Sequence, residues 1–163
     1  MVKYNAKVFL AKAEHYLNLE PTDLVQAGEK IWGAVIFALK KPYLAIQVDV
    51  ASHAANRALF KLAARVFDSK TQGDLYDVWS LVEKCHENFY GQALPRTDIL
   101  EALEGAKLAV RKLESMNMQI LRRKFFEERA QPKDLSKFGS EDYQKPYSKV
   151  HGGITYYVKV KCY

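Results

Sequence analysis

The stretch LVQAGEKIWGAVIFAL, residues 24–39, carries its apolar side chains in the phase of an α-helix. Leu24, Gly28, Ile31, Val35 and Leu39 recur at spacings of three and four, and Trp32 and Ile36 widen the stripe. A face that broad predicts an amphipathic helix packed into a core. Thr22 or Asp23 supplies an N-cap for it, and Pro42 is expected to stop it.

The same period continues on both sides. Phe9, Leu10, Ala13, Tyr16 and Leu17 mark a first helix that ends near Pro21. A third helix is expected from about Asp49 to Phe67, with Ala51, Ala55, Leu59, Leu62 and Val66 as its buried line. Asp68 to Gly73 reads as a turn. A fourth helix from near Asp74 buries Leu75, Val78, Trp79, Val82, His86 and Phe89 and ends at Gly91. A fifth opens at Pro95, with Asp98 and Glu101 as a capping pair and Ile99, Leu103, Ala106, Val110 and Leu113 as its stripe. The expected fold is all-α, an up-and-down bundle of about five helices over residues 1–130.

Beyond Pro132 the period changes from helical to two. Ile154, Tyr156, Val158 and Val160 alternate with Thr155, Tyr157, Lys159 and Lys161, which predicts a strand with one apolar and one basic, aromatic face. His151-Gly152-Gly153 can turn a short hairpin from Tyr147 to Val150 back onto it. An isolated hairpin is marginal in water, so residues 131–163 are expected to form a basic, Tyr-rich extension within the same compact unit or on a neighbouring subunit.

Composition narrows the function classes. The 163 residues hold 25 Lys and Arg against 19 Asp and Glu, a net charge of +6. Residues 1–120 contribute only +1 of that excess and residues 121–163 contribute +5, so a polyanion hypothesis cannot rest on the total alone. No run free of charged side chains exceeds nine residues, against the roughly 20 that a membrane-spanning helix needs. Lys3, Lys7 and Lys12 interrupt any apolar leader, and two cysteines make no disulfide framework, so a cytoplasmic protein without a membrane role is expected.

Several chemistries lack their residues. There is no glycine-rich phosphate loop, no Gly-x-Ser-x-Gly and no Cys-x-x-Cys. His86-Glu87-Asn88-Phe89-Tyr90 opens like a zinc-protease helix, but Tyr90 stands where the second imidazole must be, so no metal site and no cofactor is expected.

Gln26-Ala27-Gly28-Glu29-Lys30-Ile31-Trp32-Gly33-Ala34 and His86-Glu87-Asn88-Phe89-Tyr90-Gly91, with Ser52-His53 between them, resemble the signatures of the archaeal PaREP family, a branch of the HEPN-like helical bundles. The resemblance covers roughly residues 4–125. It implies an up-and-down helical bundle, commonly homodimeric, in a superfamily that includes metal-independent ribonucleases and partners of small nucleotidyltransferases. The active ribonucleases carry an arginine followed after four to six residues by a histidine. Here no histidine follows an arginine at that distance, which argues against nuclease chemistry.

The candidate site residues each have a plain structural reading beside the functional one. His53, Arg57, Lys61 and Arg65 are spaced by four and form one ridge, which is either a solvated face or a track for phosphates. His86 shares its stripe with Val82 and Phe89, so it is a core histidine unless it meets His53 in a cleft with Glu29, Asn88 and Tyr90, where two imidazoles could act as acid and base. Gly28 and Gly33 cost helix stability, which suggests close approach of a packed helix. Tyr157, Lys159 and Lys161 interleave rings and cations as single-stranded nucleic acid requires. Three function classes follow. The first is a non-catalytic dimeric binding module for RNA, a nucleotide or a partner protein. The others are a divergent metal-independent ribonuclease or toxin-antitoxin component, and a structural homodimer without ligand.

Overall fold

The helical period is realised in six helices of a computed structural model: α1 (Ala6–Leu17), α2 (Leu24–Ala45), α3 (His53–Ala64), α4 (Ser69–Asn88), α5 (Arg96–Glu114) and α6 (Met118–Arg129). The structure describes residues 3–46, 48–50, 53–89, 91, 93–129, 147–151, 154–158 and 160–162, with the backbone alone for 49, 50, 54, 126, 128, 129 and everything from 147 onward. The expected turn at Gly152-Gly153 lies outside the described residues. The chain divides into two compact units, residues 1–38 with 73–115 and residues 39–72 with 116–163, so the divisions fall inside α2 and α4.

In the first unit each helix is started or stopped by a local hydrogen bond. Asn5 caps α1, its Oδ1 accepting the Val8 N–H at 2.9 Å, and Asp23 rather than Thr22 caps α2 through the Gln26 N–H at 2.9 Å. Apolar side chains from all four helices meet in its core, among them Leu17, Ile31, Val35, Leu75, Trp79, Val82, Ile99 and Val110. Close helix contact rests on missing side chains. A Cβ on Gly105 of α5 would lie 2.9 Å from Val78 Cγ2 on α4, and one on Gly28 of α2 would lie 3.2 Å from the Cys85 carbonyl oxygen. Arg96, at the start of α5, donates from one Nη1 to the Leu17 carbonyl (2.9 Å) and the Thr22 hydroxyl (3.0 Å), fixing the loop between α1 and α2.

The second unit is built around Leu39, Tyr43, Leu59, Phe60, Leu62, Leu121 and Phe125. Tyr43 is fully buried and donates its hydroxyl to the Leu59 carbonyl, while Phe125 of α6 meets its ring edge-on at 6.1 Å.

Several boundaries correct the sequence reading. Pro42 does not stop α2, which runs on to Ala45. A proline in the final turn forfeits a single backbone bond, and burial of Tyr43 holds the turn. The third helix begins at His53 and ends at Ala64, not at Asp49 and Phe67. Val48–Val50 is extended, as two β-branched residues favour, and Arg65, Val66 and Phe67 close tighter turns onto Leu62, Ala63 and Ala64. Asp68 to Gly73 is not a turn: Asp68 accepts both the N–H and the hydroxyl of Thr71 at 2.9 Å and starts α4 five residues early. Pro95, not an Asp98–Glu101 pair, occupies the N-cap of α5. Phe89 is 47% exposed rather than buried, because α4 has already ended at Asn88. A sixth helix follows the five that were expected. Ser115 closes α5, and Asn117 Oδ1 accepts the N–H groups of Gln119 and Ile120 at 3.1 Å to begin α6.

Candidate functional site

The two sequence motifs meet in the first unit. Gly28 removes the side chain that would hold α2 away from α4, and the backbone of Cys85 occupies the space. One position on from each, Glu29 and His86 then face each other. His86 Nδ1 lies 3.0 Å from Glu29 Oε2, with the imidazole 18% and the carboxylate 28% exposed. Trp32, one turn beyond Glu29, lies under the imidazole in a near-parallel stack, with centroids 4.7 Å apart and planes 15° apart. Trp79, buried on α4, tilts against the same indole at 5.3 Å.

That arrangement has definite chemical content. A carboxylate at Nδ1 fixes the ring orientation and, in the neutral imidazole, makes Nε2 the basic nitrogen. Cys85 adds no nucleophile. Burial, reinforced by the charge of Asp98, pushes its thiol up to about 12, so it stays protonated at neutral pH. Among the described residues no group of three or more His, Cys, Asp or Glu side chains could hold a metal ion.

Asn88, in the same motif and the last residue of α4, is buried and accepts the Leu94 N–H at 3.0 Å. It closes the connection from α4 to α5, where Gly91 takes a φ of 109° that favours glycine. Tyr90 lies outside the described residues.

The α3 ridge belongs to the second unit, so His53 and His86 belong to different units. His53 and Lys61 are exposed and Arg57 and Arg65 half-buried, opposite Ala55, Leu59, Leu62 and Ala63 in the core. Also in that unit, α6 carries Arg122 and Arg123 exposed and Lys124 half-buried, three adjacent cations that the sequence reading did not single out. Of the C-terminal candidates, Tyr157 and Lys161 lie in extended backbone segments and Lys159 is outside the described residues. No described helix is long and apolar enough to cross a membrane.

The division into units redistributes the charge. Residues 1–38 with 73–115 hold nine basic and twelve acidic side chains, net −3. The helical part of the second unit, residues 39–72 with 116–129, holds ten basic and four acidic ones, net +6. The near-neutrality of residues 1–120 along the sequence therefore conceals two units of opposite sign.

The sequence profile of the archaeal PaREP1/PaREP8 family matches residues 2–110. Neither the curated proteins nor the solved structures contain a significant match.

Proposed function

The chain belongs to the archaeal PaREP1/PaREP8 family, and from that premise we propose that it is a non-catalytic RNA-binding module built as a homodimer of HEPN-like helical bundles and working in the cytoplasm. The observation that carries the reading is the +6 helical part of the second unit beside a first unit of −3. Cations gathered on one unit neutralise phosphates and release counterions, which a diffuse excess does less well. Arg57, Lys61 and Arg65 on α3 and Arg122, Arg123 and Lys124 on α6 are the assigned phosphate contacts.

In this reading residues 131–163 add a basic hairpin to the same unit. The antiparallel register of Tyr147 opposite Val158 and Lys149 opposite Tyr156 supports it. The Glu29–His86 pair then serves to join α2 to α4.

Titrating a labelled single-stranded RNA at several salt concentrations tests the module. Wild type binds with a steep negative salt slope, and Arg57→Ala with Lys61→Ala flattens it by roughly one to two phosphate equivalents. Absence of binding at low salt removes the RNA reading, and light scattering that returns a monomer removes the homodimer.

A second reading, a divergent metal-independent ribonuclease, draws on the carboxylate-oriented imidazole of His86. Incubation with transfer RNA in chelator decides it: cleavage that His86→Ala abolishes supports it, and no cleavage, or cleavage indifferent to that change, excludes it.

A further inference from the structure

Three aromatic rings cross from α1 to α2 on the surface of the first unit. Tyr4 immediately precedes the Asn5 cap, Phe9 lies on α1, and Phe37 lies on α2 one turn beyond Gly33. Ring centroids are 5.7 Å apart for Tyr4 and Phe9 and 5.1 Å for Phe9 and Phe37. The middle ring is seated by a glycine: a Cβ on Gly33 would lie 3.0 Å from Phe9 Cδ1, so only a bare backbone lets Phe9 lie this close to α2. The outer rings remain open to water, Tyr4 at 51% and Phe37 at 44%.

The charge around the rings runs against that of the unit. Residues 1–13 hold Lys3, Lys7 and Lys12 and no acidic side chain, in a unit of net −3. Lys3 and Lys7 are exposed, and Lys12 Nζ stands 4.6 Å from the Tyr4 ring centroid.

We propose that this surface is a base-stacking platform for single-stranded RNA, with Tyr4 and Phe37 taking bases, Lys12 holding one face of the Tyr4 ring and Lys3 and Lys7 facing the phosphates. The proposal rests on the RNA-binding reading above but places a separate contact on a different unit. Aromatic rings beside cations bind any unstacked base, because every base offers a π-face. A duplex keeps those faces covered and is held through its backbone instead. A second copy of the chain is the poorer occupant. A two-fold contact centred on the patch would set the same lysines of both copies against one another, and like charges opposed across an interface disfavour it.

The test compares a short labelled oligouridylate with an RNA duplex of equal length, using full-length wild type, Tyr4→Ala and Phe37→Ala. Both side chains are largely exposed, so circular dichroism of the variants is expected to match wild type. Each variant is expected to bind the single strand about tenfold more weakly, within the roughly 5- to 150-fold range for loss of one stacked ring, with the duplex unaffected and the salt slope unchanged. Tyr4→Phe and Phe37→Trp keep a ring and are expected to retain binding. Variants that bind the single strand like wild type overturn the platform while leaving the RNA reading standing. Equal losses on single strand and duplex overturn it too, as does a dimer that becomes a monomer on Phe37→Ala. A wild-type protein that binds neither RNA removes the underlying reading and this proposal with it.

Discussion

Glu29 and His86, 57 positions apart in the chain, are joined by a 3.0 Å contact between a carboxylate oxygen and an imidazole nitrogen. The residues just before them, Gly28 and Cys85, sit so close that a Cβ on Gly28 would lie 3.2 Å from the Cys85 carbonyl oxygen and 3.4 Å from its Cβ. Helix spacing comes first and the polar pair follows from it.

Gly28→Ala therefore tests the spacing directly. The new carbon would meet the Cys85 carbonyl oxygen at 3.2 Å, and a carbonyl within a helix cannot swing aside. Overpacking of this kind costs about 1–3 kcal/mol. Gly73→Ala, in α4 with nothing within 4 Å, is expected to do the opposite and stabilise by about 0.5–1 kcal/mol. Urea denaturation of the two variants should shift the midpoint in opposite directions.

The polar pair has its own signature. Both partners are partly exposed, so their mutual hydrogen bond is worth about 1 kcal/mol, and the imidazole–indole stack adds about 0.5–1.5 kcal/mol. His86→Ala should consequently cost more than Glu29→Gln. A double-mutant cycle isolates the pair, and a shift in the Trp32 emission maximum should appear with His86→Ala but be small with Glu29→Gln. Equal costs for the two changes would refute this division.

Cys85 gives a pH dependence of definite sign. Its thiol is raised from 9.0 to about 12 by burial and the nearby charge of Asp98. Below pH 9 both folded and unfolded chains hold the proton and the group is neutral to stability. Between pH 9 and about 12 the unfolded chain releases it and the folded one does not, so stability falls as pH rises. Cys85→Ala should remove that part of the alkaline decline, measured as the pH dependence of the urea midpoint. A thiol reagent at neutral pH should modify Cys85 only as fast as the fold opens.

Periodicity made most of the fold legible, since a stripe such as Ile99, Leu103, Ala106, Val110 and Leu113 can be satisfied only by burying one helix face, and all five are buried. Boundaries were harder because the same polar residues serve turns and caps. Asp68 and Asn117 each start a helix by accepting backbone N–H groups, yet in sequence Asp68 reads as turn chemistry. Glu29 and His86 were expected together only in a cleft shared with His53, Asn88 and Tyr90, and their direct pairing could not be singled out for another reason. A period identifies which face of a helix is buried but not which neighbour covers it. The charge separation was hidden similarly, because α2 and α4 each contribute to both units.

The segment from Gln26 to Ala34 addresses two neighbours at once. Gly28, Glu29 and Trp32 meet α4, while Gly33 meets Phe9 of α1. Inserting one residue inside the segment would turn everything beyond it by about 100° around the helix axis. Gly33 and Trp32 would then exchange their partners for the wrong helix, whereas a substitution disturbs one neighbour only. The segment thus behaves as a two-sided gauge, tolerant of changed letters at some positions and intolerant of any change in its length.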